Sequence, residues 1–170
     1  LVDSEISAIA GTMPHAEVYV GSDATFPAYL GGSSNKELIH ISCHGEFRSD
    51  NPMFSSLHLA DGWVTVNDIA RQRLRAKLVT LSACETGLNE VAAGDEILGL
   101  ARGFLSAGAA NIVLSLWTVN DAATAELMQD FYAAIQRGKD VSASLQEAQT
   151  LMIDKGVNPY FWAPFVLIGG

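Results

Sequence analysis

The sequence predicts an α/β domain built on a mostly parallel sheet with helices on both faces, and three observations carry that expectation. Helix-period and strand-type stretches alternate along most of the chain. The stretches Leu38 to Ser42, Leu78 to Ser82 and Asn111 to Trp117 are apolar runs of strand length. With 170 residues and 49% hydrophobic content, the chain has enough apolar material to bury the core of one domain over 1–170.

The elements follow in order. Val2, Ile6, Ile9 and Met13 recur at helical spacing, so the first is a helix that ends before Pro14. Glu17 to Val20 reads as a short strand closed by Gly21. A brief helix is expected over Ala24 to Leu30, with Pro27 tolerated in its first turn and Gly31-Gly32 as its stop. After the strand Leu38 to Ser42, Leu57-His58-Leu59 and Trp63-Val64-Thr65 alternate on either side of Asp61-Gly62. That dipeptide is a tight-turn signal, and a small β-hairpin is predicted at the rim of the sheet.

Val66 to Arg73 is a short helix, followed by the strand Leu78 to Ser82. Gly94-Asp95-Glu96 opens a helix whose Ile97, Ala101, Phe104 and Leu105 share one face and whose end is marked by Gly108. Asn111 to Trp117 is the next strand. Two helices with acidic starts come after it, one from Asp121 to Arg137 and one from Asp140 to Met152. Phe165 to Ile168 is the last strand, and no internal repeat or low-complexity tract interrupts the pattern.

Ten Lys and Arg against nineteen Asp and Glu give a net charge of −9, with no basic patch. Such a chain repels phosphate backbones, so nucleic acid is excluded as a partner. The longest apolar runs, such as Ile112 to Trp117, fall far short of the ~20 residues of a membrane span, so no membrane partner is expected. Cys43 and Cys84 are too few for a disulfide scaffold, which predicts a reducing, cytoplasmic setting. No cofactor is expected. A metal site from Cys43, His44, His58 and Cys84 is disfavoured, because no pair of them sits at a recognised ligand spacing.

In open α/β sheets ligands collect past the carboxyl ends of the strands. His44, with Gly45 after it, follows the strand Leu38 to Ser42, and Cys84 follows the strand Leu78 to Ser82. Side chains leaving adjacent strand ends meet across a few ångströms, which sets an imidazole against a thiol. A thiolate is a nucleophile, and an imidazole can take its proton and later protonate a leaving amine. The backbone N–H groups of Gly45 and Cys84 are the candidate oxyanion donors. A Cys beside an apolar strand is also a small core residue, and a His-Gly pair is also a turn. Cys43 competes as nucleophile, but neighbouring strand residues face opposite ways, so it is read as core.

Several blocks together resemble a known family. They are Ile41-Ser42-Cys43-His44-Gly45, Leu78 to Gly87, Gly94-Asp95-Glu96 with Gly99-Leu100-Ala101-Arg102, Ser115-Leu116-Trp117 with Val119 and Asp121, and Asn158 to Gly169. In this order they resemble the CHAT domain, a caspase-like and separase-like group of bacterial domains often found after tetratricopeptide repeats. The resemblance implies a caspase-hemoglobinase-like three-layer sandwich and a cysteine endopeptidase with His44 as acid and base and Cys84 as nucleophile. Gly45 and the Cys84 amide would be its oxyanion donors. The segment Ser82-Ala83-Cys84-Glu85-Thr86-Gly87 replaces the caspase signature, so specificity for Asp is not implied.

By likeness to separases, Asp121 would line the pocket for a basic residue before the scissile bond; as an ordinary residue, it or Asn120 would cap the helix that follows. Glu85 and Asp95 are further acidic candidates, with surface charge as their plainer account. Asn158 and Asn120 depart from the family pattern. Relatives carry a further strand ahead of the first helix, which implies a domain truncated at its amino terminus and cut from a larger protein.

Two functions from different classes follow. The first is a cysteine endopeptidase, regulated by upstream repeats or a partner, with the stretch Glu85 to Ala93 as the loop to move. The alternative is a catalytically silent peptide-binding or regulatory module of the same fold.

Overall fold

A computed structural model describes residues 2–46, 48, 50–85, 94–117, 119 and 121–169. Along the chain the elements are α1 (Val2–Thr12), α2 (Phe26–Ser33), β1 (Leu38–Glu46), β2 (Ser56–Leu59), β3 (Gly62–Thr65), α3 (Val66–Ala70), β4 (Leu78–Glu85), α4 (Gly94–Ala107), β5 (Asn111–Ser115), α5 (Asp121–Gln136), α6 (Val141–Asp154) and β6 (Phe165–Gly169). Two compact units divide them. One holds Tyr19–Thr118 with Ile168–Gly170, the other Leu1–Val18 with Val119–Leu167.

The sheet has the strand order β3-β2-β1-β4-β5-β6, and β1 to β5 belong to the first unit. Its centre is parallel, β1 beside β4 and β4 beside β5. Val79 and Leu81 of β4 are buried with Thr80 between them, and so are Ile112, Val113 and Leu114 of β5. Consecutive buried residues mean that both faces of these strands are shielded from water, as parallel strands require. The hairpin extends the sheet on the β1 side through antiparallel ladders. Here the pattern alternates instead, with Leu57 and Val64 buried and His58 and Trp63 exposed.

The hairpin turn is held from outside. Asp61 Oδ1 accepts a hydrogen bond from the Phe26 N–H at 2.8 Å, and the Ala60 N–H donates to the Ala24 carbonyl at 2.9 Å. At the other end of β3, Thr65 and Asp68 form a reciprocal capping box that starts α3.

Three expectations need correction. Glu17 to Val20 forms no strand; Val18, Tyr19 and Val20 are each almost half exposed, too little burial to reward pairing. Helix α2 starts at Phe26, capped by Thr25, and runs through Gly31-Gly32 to Ser33. Gly32 is there for closeness, not as a stop, since a Cβ would lie 3.3 Å from Tyr19 Cε2. Strands β1 and β4 also run past Ser42 and Ser82, to Glu46 and Glu85.

Gly108 does end α4 as expected. Its φ is +111°, and an added Cβ would lie 2.3 Å from the Leu74 carbonyl oxygen. That contact sits beside the Leu74 N–H to Ala107 carbonyl bond of 2.6 Å, which ties the segment before β4 to the end of α4.

In the second unit α1 packs on α5 and α5 on α6. Leu127, Met128, Phe131, Leu145, Ala148 and Met152 are buried at the expected helical spacing. Asp140 caps α6 by accepting from the Ala143 N–H at 2.7 Å. Gln149 Nε2 donates to the Trp162 and Phe165 carbonyls at 3.2 and 2.9 Å, pinning the segment that leads into β6.

Candidate active site

The site is built on the parallel pair β1 and β4. The ladder pairs Leu38 with Leu78 and keeps step for eight residues, so His44 faces Cys84 and Gly45 faces Glu85. The rows below are filled by buried residues, Ile39 on β1 and Val79 and Leu81 on β4, and a slip of one would turn those of the slipped strand to the opposite face. His44 and Cys84 therefore occupy the same row. Each lies within the last residues of its strand, not beyond it.

His44 has a second neighbour. Across the antiparallel ladder to β2 its partner is His58, and the partner of His58 on β3 is Trp63. The rings of His58 and Trp63 pack with centroids 4.6 Å apart, tilted by 52°. His44, His58 and Trp63 are all exposed, whereas the next row, Gly45, Leu57 and Val64, is buried. Partners across a ladder share a face of the sheet, so the exposed row is one continuous ledge on the face opposite the Gly45 row.

Gly45 sits inside both ladders, opposite Leu57 on one side and Glu85 on the other. Cys43 is half-buried and pairs with Ala83 in the row below His44. Alternation points it away from the face that His44 uses.

Asp121 is the first residue of α5 and belongs to the other unit. In that place a carboxylate is favoured by the helix dipole. Asp95 lies in the first turn of α4 and Glu85 ends β4. Asn120 and the stretch 86–93, with Gly87, lie outside the described residues. Among the described residues no cluster of three His, Cys, Asp or Glu is gathered to hold a metal ion, and no helix is long and apolar enough to cross a membrane.

The sequence marks His58 and Trp63 as hairpin partners and not as a ledge beside His44. Alternation around Asp61-Gly62 pairs these two residues, and that much is visible in the sequence. What the sequence lacks is any sign of which strand the hairpin pairs with.

The segment Asn158 to Gly169 has a structural account. Asn158 Oδ1 accepts from the Tyr160 N–H at 3.0 Å and caps the 3-10 turn Pro159–Phe161. Trp162 Nε1 donates to the Val157 carbonyl at 3.1 Å.

Comparison with known proteins agrees with this architecture. The family model of the CHAT domain matches residues 1–170. The chain is similar to Tetratricopeptide repeat protein 28 of Homo sapiens, 35% identical over 127 residues that make up 74% of this chain and 5% of that protein. It is similar to the Mus musculus protein of the same name, 37% identical over 108 residues, 62% of this chain and 4% of that protein. The chain thus spans about a twentieth of the length of these relatives. The mixed six-strand sheet with its parallel centre is consistent with a caspase-like fold, and a match over the whole length shows that the chain belongs to the CHAT domain family.

Proposed function

We propose that the chain is a cysteine endopeptidase domain that cleaves protein substrates through His44 and Cys84. The observation that carries this reading is the register of β1 and β4, with His44 and Cys84 opposite each other at the carboxyl ends of two adjacent parallel strands. In this reading the Cys84 thiol gives its proton to His44 and its sulfur attacks the substrate carbonyl. The developing oxyanion takes hydrogen bonds from the backbone N–H groups of Gly45 and Cys84. His44 then protonates the leaving amine, and water releases the acyl half from the sulfur. No cofactor takes part.

Asp121 and the net charge of −9 support a preference for Lys or Arg before the scissile bond. The relatives' printed names support a parent chain that carries tetratricopeptide repeats, and in this reading those repeats control access to the site. In this reading the enzyme works in the cytoplasm, where a free thiol stays reduced.

A thiol-directed peptide probe tests the assignment. Labelling is expected to disappear with Cys84→Ala and to persist with Cys43→Ala. The reverse pattern would overturn it. A second reading, a silent peptide-binding module that serves the repeats, is favoured by relatives named for their repeats and not for a peptidase. Cleavage of any protein in a Cys84-dependent manner excludes it.

A further inference from the structure

The row that joins Cys84 to His44 continues across the sheet to His58 and Trp63. Trp63 is 49% exposed, although its neighbour Val64 is 5% exposed and supplies the core contact of the same strand. A single exposed aromatic residue is ordinary on a protein surface. An indole packed on an imidazole, in register with the residue that handles the proton, is a more specific arrangement.

The chemistry of the proposed reaction decides which half of a peptide would lie over this ledge. The carbon–sulfur bond forms on Cys84, so the acyl half stays with β4 as a thioester. The carbon–nitrogen bond breaks as His44 delivers its proton to nitrogen, so the amine half departs from the His44 side. Water then cleaves the thioester and restores the thiol. The strands beyond His44 on that side are β2 and β3. Neighbouring strands lie about 4.8 Å apart, and an extended peptide advances about 3.3 Å per residue. One strand spacing reaches His58 and two reach Trp63, which correspond to the second and third residues after the scissile bond.

We infer that His58 and Trp63 form a subsite for the leaving half of a peptide substrate, taking an aromatic or large apolar side chain at the second or third residue after the scissile bond. The inference rests on the endopeptidase reading and deepens it. The indole offers a flat apolar face, and aromatic side chains stack on such faces in offset or edge-on arrangements. The row itself carries two imidazoles and an indole and no carboxylate.

Two substrates with one acyl half test it. One is a peptide with Phe at the second and third positions after the scissile bond, and the other is an amide with a small arylamine leaving group. With Trp63→Ala the ratio of peptide to arylamide kcat/KM is expected to fall about tenfold, mainly through the KM of the peptide. Trp63→Phe should restore most of the ratio. An unchanged ratio, or a wild-type preference for Lys or Arg at those two positions, overturns the subsite while Cys84-dependent arylamide turnover still upholds the peptidase. If neither substrate is turned over in a Cys84-dependent way, the peptidase reading fails and the subsite falls with it.

Discussion

His44 on β1 and Cys84 on β4 are partners across a parallel ladder, in the second row before β4 ends. The relationship is a property of register. One step either way would set Cys84 against Cys43 or Gly45, and the buried residues of the slipped strand would change face with it. The core of the sheet thus maintains the spacing on which a dyad would depend.

His44→Ala and Cys84→Ser should each lower kcat/KM by at least about 10²-fold, within the range for loss of a general acid and base or of the nucleophile. His44 is exposed, so its removal should change stability by no more than about 0.5 kcal/mol. Activity assays alongside urea denaturation would separate the two effects. A large loss of stability in His44→Ala would show that the side chain supports the fold.

Gly108→Ala should be among the most damaging single substitutions in the sheet unit. It combines a left-handed φ of +111° with a Cβ placed 2.3 Å from the Leu74 carbonyl oxygen. A cost of about 3 kcal/mol or more is expected, since backbone carbonyls cannot yield as a flexible side chain can. Thermal denaturation would show it as a fall in Tm of roughly 6 °C or more.

The capping box makes a pH-dependent contribution. The Thr65 hydroxyl and the Thr65 N–H donate to Asp68 at 2.6 and 3.0 Å and hold its carboxyl below the usual carboxylate range. A depressed pKa contributes stability above the unfolded value of about 3.9, and the contribution is lost as pH falls through the folded value. Thr65→Ala should cost about 1 kcal/mol near neutral pH. Its deficit relative to wild type should shrink in denaturation curves taken at about pH 3.

At the alkaline end Tyr29 behaves in the opposite sense. Burial pushes its phenol up from 10.0 to about 12, against the side chains of Ser33 and Gln72, which pull it down. A raised pKa contributes stability that is complete below the unfolded value and is lost as pH rises through the folded one. Wild type should therefore lose on the order of 2 kcal/mol between pH 10.0 and about 12 that Tyr29→Phe does not lose. Paired denaturation series for the two proteins across that window would measure it.

Most of the elements were legible because each was marked locally. Helical spacing and an acidic start located α5 and α6, and alternation about Asp61-Gly62 located the hairpin. Glu17 to Val20 misled because its composition suits a strand, while strand formation needs a partner that composition cannot supply. Gly31-Gly32 misled because the same residue type ends a helix in one place and admits a neighbouring ring in another.

The sequence by itself determined an acidic α/β chain, the strands that bear His44 and Cys84, and the family to which their surrounding blocks belong. Tertiary structure decided which strands are neighbours and in what step. From that came the row Cys84, His44, His58 and Trp63, whose members come from four strands and of which only His58 and Trp63 are joined by a local turn. The physical reason is that local signals arise from residues a few positions apart, whereas register arises from the simultaneous burial of side chains on β1, β4 and β5, a condition no single segment contains.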